Sequence, residues 1–190
     1  MTQTLIVPGL DGSPAPHWQH WWSVTEADAQ LVDLSDCSRP VPAVWEYELA
    51  EAILAAPDSI LVGHSLGAVL IARLLTRYPD LPVRAALLVA PAETRGSDRI
   101  GQFGPIPERL LPVPATVVAS RNDPWMSLGR ASQLASAWGA RLVDLGEAGH
   151  INRASGFGPW PEGKVLRDPL ILRSARAPFL AVPQAAWRAI

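Results

Sequence analysis

The chain has 190 residues, enough for one domain built on one good core. Hydrophobic residues make up 48% of it and the formal net charge is −2. That balance excludes a disordered chain and gives no reason to expect nucleic acid or an anionic membrane as a partner.

The chain opens MTQTLIVPGLDG, with neither the basic region nor the apolar run of a signal peptide, and no stretch reaches the ~20 apolar residues that span a bilayer. A cytoplasmic location is the expectation. The first apolar run, Thr4–Val7 (TLIV), ends at Pro8-Gly9. A helical segment follows over His17–Ala27, with Trp18, Trp21 and Trp22 on one side. The run Ala29–Leu34 (AQLVDL) leads into SDCSRP. This loop holds the single cysteine, Cys37, which can form no internal disulfide and suits a reducing compartment; it reads as a small, partly buried side chain. Val41–Ala56 has Val44, Leu49 and Ile53 at near-helical spacing. Ser59–Val62 (SILV) ends at Gly63, and Ser65–Tyr78 carries the stripe Leu66, Val69, Leu70, Leu74. The run Ala85–Ala90 ends at Pro91. Residues 91–114 are a Gly/Pro-rich connection that reads equally as a mobile flap or a short structural link. Ala115–Ser120 runs into RNDP. The helix over Ser127–Gly139 starts on a Ser cap and closes on Gly, and Ala140–Leu145 ends at Gly146. From about Asp168 the chain carries Pro169, Pro178 and Pro183, which no long amphipathic helix continues through.

The apolar runs are continuous rather than alternating, as strands of a parallel sheet are when both faces are covered. Strand and helix alternate throughout. The expected fold is α/β, with about six mainly parallel strands, helices on both faces and right-handed crossovers. No repeat or linker breaks the chain, so residues 1–190 read as one domain with an atypical C-terminal extension from about 168.

The chemistry lies in LVGHSLG. Sites of open α/β sheets sit at the carboxyl ends of strands, and Ser65 falls there, between the SILV strand and the helix after it. A serine in that place turns sharply on a strained backbone that lifts its Oγ above the sheet. Gly63 and Gly67 flank it where side chains would collide with strand and helix. This is a nucleophile elbow, G-x-S-x-G, in its strand–turn–helix context. A serine hydroxyl needs a base, and the base needs an acid to fix its tautomer. The chain order expected in this fold is Ser, acid, His. Of His17, His20, His64 and His150, only His150 follows Ser65, in GEAGHINRASG after the last strand. Asp123, in the loop after ATVVAS, leads as the acid. Asp144 reads as strand, Glu147 lies too near His150, and Asp98 follows the wrong strand. The N–H groups of Leu66, at the positive end of its helix, and Leu10, in PGLDGS, are the expected oxyanion donors. His64 reads as a packed support pointing away from the catalytic face, and His17 and His20 as helix-surface or N-terminal residues. No His, Cys and carboxylate cluster has metal-ligand spacing and no phosphate-binding glycine motif occurs, so neither metal nor cofactor is expected.

With VPGLDGSPAPHWQHWW, LVGHSLG, SRNDPWMS and GHINRASGFGPWPEG in view, the chain resembles the small serine hydrolases of the α/β-hydrolase fold that include retinoblastoma-binding protein 9 and the YdeN-like proteins. The matching motifs run from about residue 4 to about 166. The resemblance implies a cofactor-free hydrolase without a large lid domain, and assigns Ser65, Asp123 and His150 as the triad. It fixes no substrate. The Leu-x-Cys-x-Glu motif that would imply a retinoblastoma-protein partner is absent, since LSDCSR does not match it, and the C-terminal stretch departs from the compact helix expected to close this fold.

Small carboxylic esters, or small amides, fit so compact a chain better than long lipids. Trp18, Trp125 and Trp160 lie beside the site loops in sequence and are candidates for an aromatic pocket wall, with core packing as the competing role. Asp11, beside the oxyanion loop, is a candidate for binding a substrate amine, against a role in the turn. The leading reading is a serine hydrolase working through an acyl-enzyme. The others are a catalytically silent binding protein on the same fold and an acyltransferase using the same triad.

Overall fold

The computed structural model describes residues 2–174. Six strands, β1 (Thr4–Val7), β2 (Ala29–Leu31), β3 (Ser59–His64), β4 (Val83–Val89), β5 (Ala115–Ala119) and β6 (Arg141–Asp144), form one sheet in the order β2-β1-β3-β4-β5-β6. Every pairing is parallel. Five helices accompany them: α1 (Trp18–Thr25), α2 (Pro42–Ala55), α3 (Leu66–Arg77), α4 (Leu128–Trp138) and α5 (Pro161–Ser174).

The apolar strands are continuous because each face of the sheet has its own core. Leu5, Val7, Leu61, Ala86, Leu88 and Val117 point to one side and meet Trp45 and Leu49 of α2, Val69 and Leu70 of α3, and Leu134 and Trp138 of α4. Ile6, Ile60, Val62, Leu87, Val89 and Val118 point to the other and meet Trp18 and Trp22 of α1 and Leu170 of α5. The period-two alternation of side chains along each strand divides the two layers. Helix α4 ends as its sequence suggests, with the Ser127 hydroxyl accepting from Arg130 N–H and Gly139 in the left-handed conformation.

One expectation about the chain's later half is corrected, and of two open readings one is chosen. Helix α5 continues through Pro169. A proline inside a helix costs about 3 kcal/mol, and tertiary contacts on the opposite side of this helix outweigh it. Leu170 is buried, and Arg167 pairs with Glu26 and lies 5.3 Å from the centre of the Trp22 ring. Lys164 also reaches Glu26, at 2.7 Å, and sits 4.1 Å over Trp21. The remainder of the expected extension, 175–190, lies outside the described residues. The connection 91–114 is a packed link rather than a flap: Ile100, Phe103, Ile106 and Leu111 are buried in the α2–α3–α4 layer, and Thr94 Oγ1 donates to Gly104 O at 2.6 Å. Among the described residues no helix is long and apolar enough to cross a membrane.

The strand order reverses between β1 and β3, so the loops leaving their carboxyl ends diverge and open a crevice. Residues 8–13 and Ser65 stand at that crevice.

Candidate active site

Ser65 joins β3 to α3 with φ 55° and ψ −120°, a backbone conformation that costs a non-glycine residue about 1–3 kcal/mol. Its N–H is tied to Val89 O at 3.0 Å, which fastens the turn to the end of β4. The flanking glycines are required by space. A Cβ on Gly63 would lie 2.7 Å from both Ala68 N and Gly67 O, and one on Gly67 would lie 2.5 Å from Pro8 O and closer still to Val7 O. Gly9 packs against the turn from the other side, where a Cβ would come 3.0 Å from the Ser65 Cβ. The loop after β1 therefore touches the Ser65 turn directly.

The structure brings the three residues singled out for the triad together. His150 Nε2 is 2.9 Å from Ser65 Oγ, and His150 Nδ1 is 2.9 and 3.0 Å from the two carboxylate oxygens of Asp123. A carboxylate only accepts, so Nδ1 carries the proton and Nε2 presents its lone pair to the Ser65 hydroxyl. Both the His150 and Asp123 side chains are almost wholly buried. Asp123 also accepts from Trp125 N–H at 2.9 Å, which fixes the carboxylate's rotation. The arrangement can draw a proton from Ser65 and hold the resulting imidazolium against a buried carboxylate.

Leu66 N–H is the first of α3 and has no carbonyl one turn back to bond. Among the described residues neither it nor Leu10 N–H has a protein acceptor. Both belong to segments in contact with Ser65 and are available to an oxygen placed above it.

The loop carrying His150 is held by groups outside the sequence-based candidate set. Ser120 Oγ accepts from Ala148 N–H at 2.9 Å, Asn122 Oδ1 accepts from Gly149 N–H at 2.7 Å, and Ser155 Oγ accepts from His150 N–H at 3.0 Å. Gly149 has φ 57°, and a Cβ there would overlap the Ser155 side chain. The signal in the sequence is faint: a Ser and an Asn just after β5, beside Asp123.

His64 and His17 form a row of mutually tilted rings behind His150. The His64 ring centre lies 4.9 Å from that of His150 and 5.0 Å from that of His17. His64 Nε2–H donates to His150 O at 2.9 Å. His64 is thus the buried support expected, but it faces the catalytic side and lines the cavity rather than pointing away. His17 is not a surface residue. It is 7% exposed and caps α1, its Nδ1 accepting from Gln19 N–H at 3.2 Å. Burial, reinforced by the nearby His150, pushes the His17 pKa down to about 4. Burial, then His150 and His17, pushes that of His64 well below the usual histidine value. His20 is half-buried on α1 and outside the cavity.

Above the triad lies a cavity of about 1010 Å³. Trp125 stands on its wall, 57% exposed, with its ring centre 6.2 Å from that of His150. Asp11 is also on the wall, but its carboxylate is held by Arg99. Trp18 and Trp160 are not. Both are buried in the α1–α5 layer with ring centres 5.2 Å apart, because the face of α1 and of the 157–160 turn that carries them packs under the sheet.

Residues 4–168 match the family of serine hydrolases. Among solved structures, a protein described as a YdeN-like hydrolase from Pectobacterium atrosepticum is 32% identical, with 92% of each chain covered and a TM-score of 0.83. The YdeN gene product of Bacillus subtilis (21% identity, 90% of this chain and 100% of that one, TM-score 0.69) and an esterase from a Rhodococcus species (16%, 91% and 90%, TM-score 0.68) share the fold. No sequence match was found among curated proteins.

Proposed function

The chain belongs to the serine hydrolase family, and from that premise we propose that it cleaves small carboxylic esters, or small amides, with Ser65 as nucleophile, His150 as general base and Asp123 as its orienting acid. The observation that carries this is the unbroken line from Asp123 through His150 to Ser65 Oγ, with contacts of 2.9 Å at each end, on a turn whose strain points the hydroxyl at the cavity. His150 Nε2 takes the Ser65 proton as Oγ attacks the acyl carbon. The carbonyl oxygen gains negative charge and meets the N–H groups of Leu10 and Leu66; one such donor is worth about 10²–10³ in rate. The imidazolium gives its proton to the leaving alcohol or amine, and an acyl-Ser65 remains. Water, deprotonated by the same nitrogen, then releases the acid.

The Trp125 face offers an apolar wall to an acyl or leaving group held in the cavity above the Ser65 hydroxyl. Asp11, its charge already shared with Arg99, is a poor site for a substrate amine. A binding protein would need neither the strained serine nor the bond network aligning His150. The single cysteine, Cys37, is consistent with a cytoplasmic, reducing location.

The test is labelling with a fluorophosphonate probe, comparing wild type with Ser65→Ala and His150→Ala, followed by a series of p-nitrophenyl esters of rising chain length. The wild type should label and hydrolyse the short esters, and the two variants should do neither. A folded wild type that stays unlabelled would remove the hydrolytic assignment of Ser65.

A further inference from the structure

The loop bearing Leu10 reaches the surface at Asp11, yet a hydrogen-bond donor to a developing oxyanion must be aimed to within a few tenths of an ångström. Asp11, the next residue, has φ 63°, a left-handed conformation that a non-glycine residue keeps only when its surroundings hold it. Two groups do. Asp11 N–H donates to Cys37 O at 2.7 Å, and the Asp11 carboxylate is gripped by both arms of the Arg99 guanidinium: Nη1 to Oδ2 at 2.8 Å and Nη2 to Oδ1 at 2.6 Å.

Arg99 is itself well anchored. Nη2 also donates to Ser38 O at 3.1 Å, and Gln102 Nε2 donates to Pro40 O at 3.0 Å, so the link after β4 is stitched across the cavity wall to the loops after β1 and β2. Its root is fixed by the buried Ile100 and Phe103 and by Arg73, which donates to Phe103 O. Asp11 thus takes its orientation from an element rooted in the opposite half of the sheet. A bidentate guanidinium–carboxylate pair fixes direction as well as distance, which a lysine cannot do.

We propose that Arg99 is a positioning residue: by clamping Asp11 in its left-handed conformation it aims the Leu10 N–H into the oxyanion site. The inference rests on the reading of Ser65 as nucleophile and Leu10 as donor. Arg99 itself touches neither the reacting atoms nor any triad residue.

An exposed ion pair is worth up to about fivefold in an equilibrium, and this one acts only on a donor that matters most in the transition state. Arg99→Ala, Asp11→Asn and their double variant are compared with wild type on p-nitrophenyl acetate, with the rate of fluorophosphonate labelling and Tm alongside. The expected result is a kcat and a labelling rate about threefold to fivefold lower in each single variant, with KM within twofold. The double variant should be no slower than the slower single one, since both changes break one clamp. Arg99→Lys should recover only part of the loss, and it carries the test should Arg99→Ala fail to fold. In 1 M NaCl the wild type should slow towards Arg99→Ala while that variant stays unchanged. A single-variant kcat at the wild-type level, additive losses in the double variant, or a change confined to KM would overturn the proposal while leaving Ser65 as nucleophile. Absence of labelling in the wild type would instead overturn the reading beneath it.

Discussion

Acidification should loosen this protein before its carboxylate ion pairs begin to protonate, because two histidines are buried uncharged beside the base. His17 titrates near 4 in the folded chain against 6.5 in an unfolded one. Between those values the unfolded chain binds a proton that the folded chain does not, so stability is fully present above about pH 6.5 and is lost as pH falls towards 4. One pKa unit corresponds to about 1.4 kcal/mol. Integrated from pH 7 to pH 5, His17 alone removes about 2 kcal/mol, and about 3 kcal/mol once pH 4 is reached. His64 is depressed for the same reasons and adds a loss of the same sign. Against a typical total of about 5–15 kcal/mol this is a large share. Asp11 and Asp144, whose pKa values are lowered by their Arg99 and Arg121 partners, lose their contribution only below the ordinary carboxylate range, so pH 5 isolates the histidines. Urea unfolding at pH 7, 6 and 5, followed by tryptophan fluorescence, measures the effect. The variant His17→Asn keeps an N-cap acceptor without a titrating ring, and its stability should fall about 2 kcal/mol less than the wild type's over that range. Equal wild-type stability at pH 7 and pH 5 would show that neither ring is buried neutral, and an equal fall in both proteins would show that His17 is not.

Three further outcomes are expected. Gly67→Ala sets a methyl 2.5 Å from Pro8 O, so it should destabilise by about 3 kcal/mol or more and lower Tm and probe labelling together. Ser120→Ala leaves Ala148 N–H without its acceptor and should cost about 1–3 kcal/mol; ester assays beside thermal melts should show kcat falling more than the Tm change explains, since the His150 loop is released. Trp125→Ala removes a half-exposed ring at the cavity wall, so Tm should hold within about 2 °C while KM rises severalfold for phenylacetate esters and stays unchanged for acetates.

The sheet was legible because burial on both faces leaves one signature, an unbroken apolar run, and the structure has a strand at each of the six. Boundaries moved where the ladder extends past the apolar residues, as at Gly63-His64, or stops short of them, as after Leu31. The three candidate triad residues were legible for a different reason: chain order and strand ends restrict each role to few positions, and one histidine follows Ser65. What escaped depends on contacts distant in sequence. Pro169 argues against a helix locally, while Glu26, Trp21 and Trp22 of another segment hold that helix in place. Trp18 and Trp160 lie next to site loops in sequence, and nothing in those stretches says that their rings turn into the core. His17 follows a run of prolines and alanine that reads as surface, yet it is buried against His64. The Arg99–Asp11 clamp joins residues 88 positions apart and leaves no local pattern.

Helix α1 illustrates how the site acquires its precision. It carries none of the three proposed triad residues, yet successive donors on it each hold a carbonyl of a different segment. Trp18 Nε1 donates to Ile151 O at 2.9 Å, Gln19 Nε2 to Val7 O at 3.0 Å, and Trp22 Nε1 to Trp160 O at 3.2 Å. The first fixes the residue after His150, the second the end of β1 just before the loop bearing Leu10, and the third the turn that begins α5. Gly149 has φ 57°, which glycine adopts freely, but Ile151 has φ 49°, which a β-branched residue disfavours, and the Trp18 bond together with the Ser120 and Asn122 bonds keeps the His150 loop in that bend. Those carbonyls are buried, and an unmet one would cost about as much as a lost hydrogen bond. The tryptophans and glutamine of HWQHWW therefore serve the reaction through backbone geometry: they satisfy the loops in the one arrangement that leaves Ser65, His150 and Asp123 in line.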